Sequence, residues 1–137
     1  MSGMEWSGNK IRKLEFSIQE ALDRGADTLI TCGGIQSNHC RATAAAAARL
    51  GLRSCLLLRT DDPDPLLDGN YFIDKVLGAD IRFISAEDYR SRRGEVMEEL
   101  AGEFERQGHK AYIIPEGASN GIGTFGYLSC MREILQQ

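Results

Sequence analysis

The chain has 137 residues, with 16 Lys and Arg against 20 Asp and Glu, for a formal charge of −4. That length suits one domain with a sizeable core, and the mild acidity excludes the clustered basic excess of a nucleic-acid-binding surface. No apolar run approaches the roughly 20 residues of a membrane span, and the opening MSGMEWSGNK has neither the basic nor the apolar region of a secretory signal.

Ile11, Leu14, Ile18, Ala21 and Leu22 recur at helical spacing and predict a first helix, with Gly25 as its C-cap. A short apolar, partly β-branched run over 28–32, stopped by Gly33-Gly34, predicts a buried strand. Ser37 then opens an alanine-rich helix that runs to Leu50 and stops at Gly51. A second strand is expected over 54–58, a loop at Pro63 and Pro65, a helix over 70–77 and a third strand over 81–84. Ser85, with Asp88 three residues on, resembles a capping box. Val96, Met97, Leu100, Ala101 and Phe104 mark one face of the helix that follows, which Gly108 ends. A fourth strand over 111–114, a glycine-rich turn over 116–126 and a last helix over 127–135 complete the series. Cys32, Cys40, Cys55 and Cys130 form no C-x-x-C pair, and there are only two histidines. No zinc site is therefore expected, and reduced thiols in a cytoplasmic protein are.

Strands alternating with helices predict an α/β fold: a three-layer open parallel sheet of about four strands with helices on both faces. Right-handed crossovers suggest the strand order 2-1-3-4. In that order the switch point, where ligands bind such sheets, lies beside the first strand. Position alone thus nominates Gly33-Gly34-Ile35-Gln36-Ser37-Asn38-His39. Backbone N–H groups at a helix start favour an anion, and the glycines are expected to leave room for a ligand. The plainer reading is that Ser37 or Asn38 is an N-cap. The run lacks the Gly-Lys-Ser/Thr of a Walker motif and is not G-x-G-x-x-G. A second element, Ser7-Gly8-Asn9-Lys10, stands at the mouth of the first helix. A helix N-terminus disfavours a cation, which lowers an amine's pKa and suits imine chemistry.

Residues 7–15 (SGNKIRKLE), 33–39 (GGIQSNH) and 115–127 (PEGASNGIGTFGY) together strongly resemble the D-cysteine desulfhydrase and 1-aminocyclopropane-1-carboxylate deaminase family. These are fold-type-II, tryptophan-synthase-β-like enzymes, and the resemblance covers nearly the whole chain, including the 27-residue spacing of Lys10 and Ser37. It implies pyridoxal 5'-phosphate as cofactor and a lyase or deaminase acting on a small amino acid. The products would be sulfide, ammonia and pyruvate from D-cysteine, or those of opening a cyclopropane ring. Lys10 would bind the cofactor covalently and move protons at the substrate α-carbon. Asn38 would hydrogen-bond the phenolic oxygen. Ser37, with the N–H groups of Asn38 and His39, would hold the substrate carboxylate, and in the deaminase branch the matching serine is also discussed as a nucleophile or base. The His39 ring could bias substrate choice or simply pack against the loop; Ser119-Asn120 could line the cleft or serve the turn.

The family's enzymes are longer. The resemblance therefore implies a fragment: a lysine-bearing helix segment over 1–25 and a small α/β domain over 26–137, without the large domain that carries the phosphate cup, the pyridine-nitrogen partner and an active-site tyrosine. Little turnover is expected from such a fragment alone, some apolar surface should be exposed, and the full-length family implies a homodimer. The alternative reading is a non-catalytic α/β module that binds a small anion or a nucleotide.

Overall fold

A computed structural model describes residues 11–118, with side chains from Lys13 onward. Strands β1 (Thr28–Gly34), β2 (Arg53–Arg59), β3 (Asp80–Ile84) and β4 (Ala111–Ile113) form a single parallel sheet. Helices α1 (Ile11–Asp23), α2 (Asn38–Leu50), α3 (Gly69–Val76) and α4 (Ala86–Arg106) precede or connect them. This is the expected α/β architecture, with element limits within about two residues of the sequence pattern. The expected glycine-rich turn beyond Ala118 and the last helix lie outside the described residues.

The strand order corrects the expectation. It is β3-β2-β1-β4, not 2-1-3-4. The crossovers from β1 to β2 and from β2 to β3 step in the same direction, so right-handedness puts α2 and α3 on one face. The step from β3 to β4 runs back across the whole sheet, which sends α4 to the other face. The cores record this division. Leu56 and Leu58 of β2 pack with Cys40 and Ala44 of α2 and Tyr71 of α3. Leu29 of β1 packs with Leu14, Ile18 and Ala21 of α1 and with Ala42, Ala46 and Ala47 of α2. Ile30, Cys32, Cys55 and Leu57 point the other way, onto Tyr89, Met97, Leu100, Ala101 and Phe104 of α4. Alternate strand residues thus serve opposite faces, as the two-residue pleat requires.

The alanine-rich sequence of α2 follows from its position. Ala42 and residues 44–47 are all buried, since the helix contacts both the sheet and its neighbours α1 and α3. Small side chains let it sit close to all of them. Gly51 ends it in the left-handed region at φ 71°. Among the described residues no helix is long and apolar enough to cross a membrane.

Candidate active site

Although the order differs, the switch point stays beside β1, now between β1 and β4. The chain leaves β1 through a turn in which the Ser37 N–H donates to the Gly34 carbonyl at 3.0 Å. Ser37 is extended, and its Oγ accepts the Cys40 N–H at 3.2 Å, the N-cap of α2. The hydroxyl serves there as an acceptor, so its own proton remains available to donate. With it stand the Asn38 and His39 N–H groups, the other donors of the first helical turn. No acidic side chain lies between residues 33 and 41. This is a set of donors suited to anionic oxygens, such as a carboxylate or a phenolate.

Gly33 and Gly34 differ in the space around them. A Cβ at Gly33 would lie 2.6 Å from Ser37 Oγ, 2.7 Å from Ser37 Cβ and 2.8 Å from Cys40 Sγ. The missing side chain makes room for the cap of α2. At Gly34 a Cβ would meet only Arg59 Nη2, at an ordinary 3.5 Å, and the backbone is outside the positive-φ region.

Asn38 is exposed and belongs to a clasp between this loop and the start of α3. Asn70 Nδ2 donates to Asn38 Oδ1 at 2.9 Å and to the Gln36 carbonyl at 2.8 Å. Arg41 Nη1 donates to Asn70 Oδ1 at 2.8 Å. Gln36 completes the clasp: its Oε1 accepts the Asn70 N–H at 2.8 Å, and its Nε2 donates to the Asp68 carboxylate and carbonyl at 3.0 and 3.3 Å. Asp68, at the N-cap position of α3, makes no cap bond with its own side chain. Gln36 supplies that cap from another part of the chain. Gly69 lies in the left-handed region at φ 52°, and a Cβ there would press on Gln36 Oε1.

The His39 ring lies inside the fold, 4% exposed. Thr31 Oγ1 donates to the Ile114 carbonyl at 2.7 Å, so at 2.8 Å it accepts from His39 Nε2, which carries the ring proton. The backbone N–H, not the ring, is therefore what His39 offers at the mouth of α2. Beneath the clasp, Asp74 of α3 is fully buried and neither carboxylate oxygen has a hydrogen-bond partner. Burial pushes its pKa up to about 7, against the opposing pull of the Arg41 charge. Burial likewise pushes the Cys40 thiol up to about 12. A cleft of about 620 Å³ lies between α4 and the turn after β4, lined by residues such as Arg90, Arg93, Met97 and Glu116, and includes none of residues 36–39. Among the described residues no group of His, Cys, Asp and Glu is placed to hold a metal ion. Lys10, Ser119 and Asn120 lie outside the described residues.

Residues 5–137 match the family described as pyridoxal-phosphate dependent enzyme. The chain belongs to this family. Among its relatives is the Arabidopsis thaliana bifunctional D-cysteine desulfhydrase/1-aminocyclopropane-1-carboxylate deaminase, mitochondrial, 51% identical over 99% of this chain and 35% of the relative. A putative 1-aminocyclopropane-1-carboxylate deaminase from Thermotoga maritima is 47% identical over 96% of this chain and 41% of its own length. The crystal structure of an ACC deaminase homologue superposes with a TM-score of 0.86 at 43% identity, covering 96% of this chain and 39% of that one. The chain thus spans about two-fifths or less of the length of these relatives. Pyridoxal phosphate is the cofactor of this enzyme family. Around the switch-point loop, the side chains of Gln36 and Asn70 and the hydroxyl of Thr31 hold positions to which the sequence motifs assign no role. The one local signal was Gly69-Asn70 at the start of a predicted helix, which reads as turn chemistry until the fold sets it against Gln36.

Proposed function

We propose that the chain provides the lysine-bearing and switch-point part of a pyridoxal-phosphate enzyme acting on a small amino acid, of the D-cysteine desulfhydrase or 1-aminocyclopropane-1-carboxylate deaminase type. The observation that carries this reading is the donor set of Ser37, Asn38 and the first turn of α2, held at the switch point of a chain that matches the family over residues 5–137. These residues fit the cofactor and its substrate, because each group they present donates to anionic oxygen. When bound, pyridoxal phosphate supplies an electron sink for charge developing at the substrate α-carbon.

The chain's own groups then have separate tasks. Lys10 would hold the cofactor through its amine, and the same amine, when free, would move the proton at the substrate α-carbon. Asn38 Nδ2 donates to the phenolic oxygen. Ser37 Oγ–H and the Asn38 and His39 N–H groups take the substrate carboxylate, supported by the dipole of α2. Ser37 does this when its hydroxyl proton turns to the ligand, since the Cys40 N–H uses only an acceptor lone pair of Oγ. The competing module reading needs no reactive lysine.

Incubation with pyridoxal phosphate, reduction by borohydride and peptide mapping tests the assignment. The label is expected on Lys10. Label on Lys13, Lys75 or Lys110 in its place overturns the reading, as does uniform labelling of all four lysines.

A further inference from the structure

We infer that Asn70 is a positioning residue for Asn38: it fixes the Asn38 amide so that Nδ2, and not Oδ1, is the group shown to a ligand. The inference rests on the proposed function for the identity of that ligand, and on geometry alone for the orientation.

The hydrogen bonds from Arg41 through Asn70 to Gln36 and Asn38 have one possible polarity. The Arg41 guanidinium can only donate, and it donates to Asn70 Oδ1 at 2.8 Å. The Gln36 main-chain carbonyl can only accept, and it accepts from Asn70 Nδ2 at 2.8 Å. These two neighbours forbid the flipped form of the Asn70 amide, which is otherwise hard to tell from the correct one. Asn70 Nδ2 therefore also donates to Asn38 Oδ1, at 2.9 Å. With Oδ1 engaged, exposed Asn38 presents an N–H pair. A donor is what a phenolate oxygen requires, whereas an outward Oδ1 would repel it. Asn70 is itself held by its backbone: its N–H is bound by Gln36 Oε1 at 2.8 Å, and it opens α3 beside Gly69. The donor at position 38 is thus set by a residue 32 positions away that need not touch the ligand.

Two measurements on the 137-residue chain test the orientation. In the wild-type protein without cofactor, side-chain amide exchange by NMR should be at least about tenfold slower at Asn70 than at Asn38. In Asn70→Asp the volume and the Arg41 bond are kept, but the donor becomes an acceptor. The Asn38 amide should then turn to donate inward, with its Nδ2 protons shifted downfield and slowed in exchange. Equal or reversed protection in the wild type overturns the inference, as does an Asn38 amide unmoved in a folded Asn70→Asp protein. The wild-type arm decides the matter if the variant fails to fold.

A third arm reads the ligand. With pyridoxal phosphate added, loss of the outward donor in Asn70→Asp and in uncharged Asn70→Ala should raise the pH midpoint of the cofactor's absorbance change by on the order of one unit. A reoriented Asn38 amide with an unmoved midpoint in both variants leaves Asn70 as the positioning residue and removes the cofactor contact from Asn38. The first two measurements need no cofactor and are independent of Lys10 labelling, so failure of the functional reading remains distinct from failure of this one.

Discussion

Asp74 has no exposed surface, and both carboxylate oxygens are without hydrogen-bond partners. A buried carboxylate in that state is costly, and the protein answers by favouring the proton. The sign of the pH dependence follows. An acid whose pKa rises on folding, here to about 7, stabilises the fold fully below the unfolded value near 4, and that stabilisation is lost as pH climbs through 7. The span is on the order of 4 kcal/mol at most, at about 1.4 kcal/mol per pKa unit. In Asp74→Asn this slope should vanish, so wild type should lose stability relative to the variant between pH 4 and pH 7. Urea unfolding at a series of pH values measures the difference. A constant difference would mean that Asp74 stays ionised in the folded protein.

At the scale of elements, the turn from β1 to α2 is a place where two pieces of secondary structure are fitted tightly. Gly33 faces Ser37 and Cys40 with no space for a methyl group, while Gly34 has space. Gly33→Ala should therefore cost about 1–3 kcal/mol, the usual range for forcing an extra carbon into a packed site. Gly34→Ala should be close to neutral or slightly stabilising, because its backbone suits alanine and the unfolded chain loses freedom. Denaturant midpoints of the two variants test this pairing. Equal losses at both positions would show that the turn yields as a whole. The helices themselves need less fitting. Ser37 and Ser85 cap α2 and α4 through the N–H groups of Cys40 and Asp88, both within 3.2 Å, as their sequence positions predicted.

For the whole molecule, Thr31 joins parts that lie far apart in the chain. Its one hydroxyl bonds a carbonyl 83 residues later and the ring of His39. Thr31→Val keeps the shape and leaves two buried polar groups without that partner, for an expected loss of roughly 2–4 kcal/mol in chemical denaturation. A loss under about 0.5 kcal/mol would mean that water replaces the hydroxyl. Long-range ties of this kind mark what the sequence could not disclose. Apolar runs and glycine stops made the strands and helices legible, because those signals act over a few neighbouring residues. The strand order was not legible. Nothing in residues 69–76 states which face of the sheet α3 will cover, and that choice separates 2-1-3-4 from the observed arrangement. In the site, Ser37 at the head of a helix was readable, whereas Gln36 and Asn70 acquire their roles only when the β2–α3 crossover brings them together. That clasp also has a meaning for descent. Gln36, Gly69 and Asn70 each fill a place shaped by the others. A change at one needs an answering change at another, so two short runs more than 30 residues apart should drift as a single inherited character, and a crossover borrowed from another protein would have to bring its own partner for position 36.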